Sequence, residues 1–107
     1  MIFDFVKMNG AGNDFVLYDN RSRSIQLTTE QVVRICDRHR GVGADGVIGL
    51  IPCGSNQADW AWEFWNSDGS LAEMCGNGAR CFARYIQRMT GNPQQTSFET
   101  TAGIISA

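Results

Sequence analysis

Apolar and polar residues alternate in short segments of the chain, and turn residues separate these segments. This period of two, or a short apolar run, predicts strands over residues 2–8, 15–19, 47–51, 59–65, 96–100 and 103–107. The first two strands flank the turn-rich loop Asn9–Asp14 and are expected to form a hairpin. In the fourth strand Trp60, Trp62 and Phe64 share one face, which should be buried. Trp65, on the other face, fits either a pocket wall or an additional core position.

Two segments instead have the apolar period of amphipathic helices. Thr28 followed three residues later by Gln31 is a capping-box signature, which predicts a helix to about residue 40, ended by Gly41. Its buried face should contain Val32, Ile35 and Cys36. The second helix is expected over residues 79–90, ended by Gly91. Its buried face should contain Phe82, Tyr85, Ile86 and Met89, with Cys81 packed in the first turn.

The composition limits both size and partners. With 107 residues, 43% of them hydrophobic, the chain can bury one modest core, so we expect a single domain. A formal charge of −2 gives no electrostatic reason to bind nucleic acid or an anionic membrane. The N-terminus lacks the pattern of a signal peptide, and no apolar run approaches the roughly 20 residues that span a bilayer. We therefore expect a soluble cytoplasmic protein with reduced cysteines.

Cys75 is the first candidate functional residue, because a helix begins directly after it. The first amide groups of a helix have no intrahelical acceptor, and the aligned peptide dipoles place partial positive charge there. Both effects stabilise a thiolate. Gly76 and Gly78 lack a Cβ, so a small anion can approach the backbone amides closely. The residues alone therefore predict a reactive cysteine beside an anion site.

Three runs of sequence, Met8–Phe15, Arg38–Gly46 and Phe64–Cys81, closely resemble the diaminopimelate epimerase family. They agree with the motifs of that family in order and in spacing. The resemblance covers the whole chain, but members of that family are considerably longer and have two similar lobes. Residues 1–107 therefore look like the N-terminal lobe, truncated before a second, C-terminal lobe.

The resemblance implies an α+β fold, in which a mixed β-sheet is curled into a barrel-like lobe around a central helix, the one that begins after Cys75. It implies a cofactor-independent epimerase that interconverts LL- and meso-2,6-diaminopimelate by proton transfer at the α-carbon between two cysteines. Cys75 would be one of them, the other would come from the second lobe, and whole proteins would form homodimers. The implied substrate contacts are Asn13, Asn66, Gly76 and Asn77. In some members a glutamine near the substrate takes the position of Gly46, so the substrate preference of this chain is left open.

Chemistry supports the absence of a cofactor. Proton exchange at an α-carbon needs a base on one face and an acid on the other, which a thiolate and a thiol provide. Pyridoxal phosphate requires a Schiff-base lysine, but the single lysine, Lys7, lies in the first strand. The run Gly41–Gly46 lacks the Lys-Ser/Thr of a phosphate loop. We expect no metal, because His39 is the only histidine and the cysteines lack paired spacing.

Three other interpretations stay open at this point. An acyl-transfer enzyme with a cysteine nucleophile would need His39 next to Cys75, whereas a histidine at a helix end is more typical of a structural role. A non-catalytic module that binds a carboxylate fits Asn13, Asn66 and the Gly76–Asn77 amides equally well. Another racemase or isomerase of the same two-lobed superfamily is the third, although the joint presence of three motifs favours the epimerase.

Overall fold

A computed structural model of the protein describes residues 3–73, 75–91 and 96–106. Within these ranges the elements are β1 (Val6–Gly10), β2 (Asn13–Asp19), α1 (Thr29–Cys36), β3 (Gly46–Pro52), β4 (Trp60–Asn66), α2 (Gly76–Thr90), β5 (Ser97–Thr100) and β6 (Gly103–Ser106). The predictions for residues 2, 74 and 107 lie outside the described residues. Among the described residues, neither helix has the length and apolar character that crossing a membrane requires.

The strands form one mixed sheet in the order β1-β2-β3-β4-β5-β6. The predicted hairpin of β1 and β2 is confirmed, and β3–β4 and β5–β6 are also antiparallel. The pairs β2–β3 and β4–β5 are parallel. Parallel neighbours need a crossover connection, and the segments that contain α1 and α2 supply the two crossovers. The α+β class and the mixed sheet expected from the resemblance are confirmed.

The inner face of the sheet packs around α2, which is the central helix of the expected fold. Six buried residues of this helix join the main core cluster, and the largest of them are Phe82, Tyr85 and Ile86. The sheet contributes Phe15, Leu17, Ile48, Leu50, Trp62, Phe64 and Phe98 to the same cluster. Phe82 lies 5.6 Å from the ring of Trp62 and 4.8 Å from that of Phe98, between centroids. Because burying each such side chain is worth about 1.5–3 kcal/mol, this cluster is the main source of stability.

The outer face carries a smaller core, which α1 covers. Val16, Tyr18 and Val47 from the sheet pack with Val32 and Cys36 of the helix. The prediction that Cys36 behaves as a small buried hydrophobe is therefore confirmed, since it is 5% exposed. The ring of Trp65 packs against this cluster and stacks near that of Tyr18, with centroids 6.4 Å apart, so Trp65 occupies a core position of the outer face.

The first strand begins at Val6 and not near residue 2, so that part of the prediction is wrong. Val6 pairs with Leu17, and continuing this register would set Asp4 directly opposite Asp19. Like charges at directly opposed positions destabilise a strand pair. The apolar residue Phe3, which suggested a longer strand, instead packs its ring on Tyr18, with centroids 5.3 Å apart.

The first helix starts as predicted but ends early. The Thr28–Gln31 capping box is present, with both of its hydrogen bonds formed. The helix stops at Cys36 because the Asp37 carboxylate accepts the backbone N–H of His39 at 2.8 Å and that of Arg40 at 3.1 Å. Such a side chain offers the backbone an alternative to the helical ladder.

A hydrogen-bonded network at the end of β2 is centred on Asn20, which is 1% exposed. Its amide donates to Glu63 Oε1 at 2.6 Å and to the carbonyl of Ile25 at 2.8 Å, and its Oδ1 accepts the Ile25 N–H at 3.0 Å. The hydroxyl of Tyr18 donates to the same Glu63 oxygen at 2.8 Å. Burial, followed by the charge of Glu63, raises the pKa of Tyr18, so this phenol stays protonated.

Asn20→Ala is expected to lower the free energy of unfolding by about 2 kcal/mol, because it leaves buried partners unpaired. Urea unfolding of the chain, followed by tryptophan fluorescence, measures the change. Ser22→Ala removes only an exposed hydroxyl, whose 2.8 Å partner is Ser24, and should stay within about 0.5 kcal/mol of the parent. Equal losses in the two variants would contradict this account of Asn20.

Candidate functional site

Helix α2 begins immediately after Cys75, as the sequence predicted, although the helix starts three residues earlier than the expected residue 79. Cys75 is the N-cap residue, with extended backbone angles (φ −140°, ψ 120°), and its carbonyl accepts the N–H of Ala79 at 2.8 Å. Its side chain makes no capping hydrogen bond within the described part of the chain. The half-buried thiol is therefore not used to stabilise the helix it begins.

The start of α2 fits closely against the inner face because residue 78 is a glycine. A Cβ at Gly78 would lie 2.7 Å from Cε2 of Phe64, a ring that is itself held by Trp62 at 4.9 Å and by Phe15 at 5.7 Å between centroids. At Gly76, by contrast, a Cβ would meet no described atom within 4 Å. Gly78 therefore fixes the distance between helix and sheet, whereas Gly76 leaves the helix start open to a ligand.

One end of the sheet brings the three sequence motifs together. β2 starts at Asn13, β3 starts at Gly46 beside Phe15, and β4 ends at Asn66 opposite Gly46. The two-residue loop before Asn13 has positive φ at Ala11 (52°) and Gly12 (98°), the geometry of a type I′ hairpin turn. At Gly46 a Cβ would lie 2.8 Å from the carbonyl oxygen of Trp65, so this backbone does not accommodate a side chain without a shift.

Asn13 and Asn77 join this sheet end to the start of α2. The Nδ2 of Asn77 donates to Oδ1 of Asn13 at 2.7 Å, across 64 residues of sequence. A Cβ at Gly10 would lie 3.0 Å from the Asn77 carbonyl, so the hairpin loop and the helix start are in close contact. Four of the five predicted site residues, Cys75, Gly76, Asn77 and Asn13, therefore lie in one contiguous group.

Asn66 lies at the same sheet end, but its described partners are within its own turn. Its side-chain amide donates to the Ser70 hydroxyl at 3.1 Å, and its carbonyl accepts the Gly69 N–H at 2.9 Å. This turn packs on the start of α1, where a Cβ at Gly69 would collide with the side chain of Thr29. The Oδ1 of Asn66 is left as an acceptor in the described structure.

All four cysteines lie in the described ranges and are free thiols, and only Cys75 is not buried. Cys36 is under α1, where burial raises the pKa of its thiol to about 11. Cys81 is fully buried on the inner face. Cys53 follows β3 at the far end from Gly46, with its sulfur 3.3 Å from the Ser55 hydroxyl, a hydrogen bond that lowers its pKa.

A charged group that was not among the residues predicted from the sequence lies beside Asn13. Asp45 Oδ2 accepts the backbone N–H of Asp14 at 2.8 Å and lies 3.4 Å from the Asn13 Nδ2. Arg38 contacts Asp14 at 3.2 Å and Asp45 at 3.4 Å. The acids and the arginine are visible in the motifs, but only the parallel pairing of β2 with β3 brings residues 14 and 45 together.

Other features of the described structure lie apart from this group. A groove of about 520 Å³ lies beside α1, lined by Phe3, Leu27, Ile35, Val42 and two arginines, on the opposite face of the sheet from the cluster that Cys75 packs against. His39 is exposed beyond the end of α1, and no hydrogen bond joins it to Cys75 among the described residues. Three or more His, Cys, Asp or Glu side chains do not cluster as a metal site anywhere in the described ranges.

Comparison with known sequences gives a consistent result. The family model described as diaminopimelate epimerase matches residues 5–107. A diaminopimelate epimerase of Picosynechococcus sp. is 50% identical over 98% of this chain and 38% of its own length. A chloroplastic diaminopimelate epimerase of rice, Oryza sativa subsp. japonica, is 50% identical over 94% of this chain and 29% of its length. The chain thus spans less than half the length of these curated relatives.

Solved structures of more distant proteins share the fold. The crystal structure of methylitaconate-delta-isomerase matches with a TM-score of 0.78 at 13% identity, covering 99% of this chain and 34% of that one. A phenazine biosynthesis protein of the PhzF family from Enterococcus faecalis matches with a TM-score of 0.71 at 12% identity, covering 99% of this chain and 40% of that one. At these identities the likeness concerns the fold alone.

Gly78→Ala should make the chain about 2 kcal/mol less stable than Gly76→Ala, because only the first substitution overpacks the core, while both gain helix propensity. Chemical unfolding of the two variants in parallel measures this difference. If both substitutions stabilise the chain equally, the close contact between Gly78 and Phe64 does not exist in solution.

Alkylation of the folded chain by iodoacetamide near neutral pH should modify Cys75 first. Cys36 should react far more slowly, because raising its pKa from 9.0 to about 11 leaves about a hundredfold less thiolate, in addition to its burial. Peptide mapping by mass spectrometry over a time course identifies the order, and labelling in denaturant serves as the control. Early modification of Cys36 would contradict the packing of α1 on the sheet.

Proposed function

The chain belongs to the diaminopimelate epimerase family, and from that membership we propose that it supplies the N-terminal half of the active site of an amino-acid epimerase. The whole protein interconverts LL- and meso-2,6-diaminopimelate in this proposal. The observation that carries it is the position of Cys75, which is the N-cap residue of α2, makes no side-chain capping hydrogen bond among the described residues and lies two residues before Asn77, the partner of Asn13.

Cys75 is the acid–base group of this half-site. The other three cysteines are buried, which keeps them from a substrate that enters from solvent. A thiolate on Cys75 removes the α-proton on one face of the α-carbon, while a thiol on the opposite face returns a proton, and the roles exchange in the reverse direction. The partner thiol comes from the second lobe, for which Cys36, Cys53 and Cys81 are no substitute.

The start of α2 binds the substrate carboxylate. The first amide groups of the helix, at Gly76 and Asn77, have no intrahelical acceptor, and the helix dipole favours an anion there. As the α-proton leaves, negative charge develops on that carboxylate, so the same amides stabilise the transition state more than the ground state. Asn13 and Asn66 complete the polar contacts at the sheet end.

The proposal requires no cofactor. The single lysine, Lys7, is exposed on β1 and belongs to neither the helix start nor the Asn13–Asn77 pair. A second lobe of the same protein completes the site. Homodimers of the whole protein and a cytoplasmic location, both expected from the sequence, stay predictions.

The decisive test uses a chimera in which this chain replaces the matching segment of the Picosynechococcus relative. With diaminopimelate in deuterated water, proton NMR should show loss of the α-proton signal with the chimera and not with the chain alone. Cys75→Ala in the chimera should slow exchange by about 10²–10⁴-fold, the usual contribution of an acid–base group. Cys36→Ala is the matched control, since this cysteine is buried under α1 and should leave exchange close to that of the parent.

Equal losses in the two cysteine variants would remove Cys75 from its proposed role. Exchange by the chain alone would mean that a second acid–base group lies within these residues. An inactive but folded chimera that still binds diaminopimelate would favour the non-catalytic module that binds a carboxylate.

A further inference from the structure

We propose that Asp45 is a positioning residue that fixes the polarity of the Asn13–Asn77 amide pair, so that Asn77 presents its carbonyl oxygen to the ammonium group of an amino-acid substrate. The substrate class rests on the proposed function, whereas the polarity itself rests on hydrogen bonds within the chain. Neither the sequence motifs nor the family comparison assigns this role to Asp45.

The orientation of the amide pair follows from what each side chain can donate or accept. An ionised carboxylate only accepts hydrogen bonds, whereas an asparagine amide has one end that donates and one that accepts. Asp45 Oδ2 is held by the Asp14 N–H at 2.8 Å and lies 3.4 Å from the side chain of Asn13. Asn13 must therefore turn its NH₂ end toward Asp45, because the other orientation would set two acceptors against each other.

This orientation propagates to the start of α2. With its NH₂ end toward Asp45, Asn13 directs Oδ1 at Asn77, which donates its own NH₂ group at 2.7 Å. Within the described ranges, the Oδ1 of Asn77 is then the group left to accept a hydrogen bond from a ligand. Asp45 thus determines the chemistry that Asn77 offers, although the two residues do not share a hydrogen bond among those described.

The resulting site binds the two charged groups of an α-amino acid at two different positions. Backbone amides at the helix start attract the carboxylate, and the Asn77 oxygen accepts from the ammonium. With the opposite polarity, the NH₂ end of Asn77 would meet the ammonium with a second donor. The arrangement therefore selects one orientation of the substrate around the α-carbon next to Cys75.

Arg38 holds both acids, Asp14 and Asp45, in place, and Asn9 adds a contact to Asp14. The guanidinium of Arg38 bridges Asp14 and Asp45, and Asn9 donates to Asp14 at 2.8 Å. The hydrogen bond from Asn9, and then the contact with Arg38, keep the pKa of Asp14 below its usual range. The Arg38 side chain is 52% exposed, so these ion pairs add little to stability, and their main effect is on orientation.

Asp45→Ala tests the inference, because it removes the oxygen that faces both the Asp14 N–H and the Asn13 amide, so this position no longer fixes Asn13. In the chimera, KM for diaminopimelate should rise about tenfold, with kcat changed less than about threefold. Asp59→Ala is the matched control, since Asp59 also accepts a backbone N–H across strands, that of Ser97 at 3.0 Å, but lies away from Asn13. Its KM should equal that of the parent.

A second readout needs no activity. In ¹⁵N spectra of the chain itself, the side-chain amide of Asn77 should be protected from exchange in the parent and in Asp59→Ala, and lose that protection in Asp45→Ala. The thermal unfolding midpoint should stay within a few degrees of the parent. Should Asp45→Ala not fold, Arg38→Gln keeps both acids, removes the ion pairs that hold them and should move the same signals partway.

The inference is overturned if Asp45→Ala leaves both the Asn77 signal and KM unchanged, or if Asp59→Ala has the same effects. An inactive parent chimera together with loss of Asn77 protection in Asp45→Ala would instead refute the proposed function and leave the polarity standing. The two failures are therefore distinguishable.

Discussion

The parallel pairing of β2 with β3 is the constraint on which the candidate site depends. It sets Phe15 beside Gly46, and the Asp45 N–H extends the ladder to the carbonyl of Asp14 at 2.8 Å. Because β4 is antiparallel to β3, it ends at Asn66 beside the same glycine. Three distant motifs thereby meet at one end of the sheet. If β2 and β3 were antiparallel neighbours, the start of one would lie beside the end of the other, and the motifs would separate.

Topology also explains why the helices lie on opposite faces. Crossovers between parallel strands are right-handed in nearly all known cases. The pair β2–β3 runs one way and the pair β4–β5 the other, while the chain advances across the sheet in one direction. Two crossovers of the same hand must then place their helices on opposite faces, as observed. The helix α2 begins near the end of β4, so Cys75 lies at the same end of the sheet as Asn13 and Gly46. Gly78 permits the close approach of the helix to Phe64 of the sheet.

Local chemistry made several elements predictable from the sequence. The capping box set the start of α1, a glycine at residue 91 ended α2, and alternation identified Trp62 and Phe64 as core residues. The end of α1 was not predictable from apolar period alone, because the Asp37 side chain competes for the next backbone groups. The start of β1 was not predictable either, because only the register shows that a longer strand would set Asp4 opposite Asp19. In the candidate site, Cys75 was predictable because a helix begins directly after it in the sequence. The contact of Asp45 with Asp14 was not predictable, because it depends on the pairing of two strands that are separated by a helix.

We propose that the residues around the start of α2 form a preformed half-site for an amino acid. Titration of the ¹⁵N-labelled chain with meso-diaminopimelate, followed by amide chemical shifts, is the sharpest test of this half-site. The largest shifts should occur at Gly76 and Asn77 and at the side chains of Asn13 and Asn66. Shifts confined to the groove beside α1, or no shifts at saturating ligand, would contradict it.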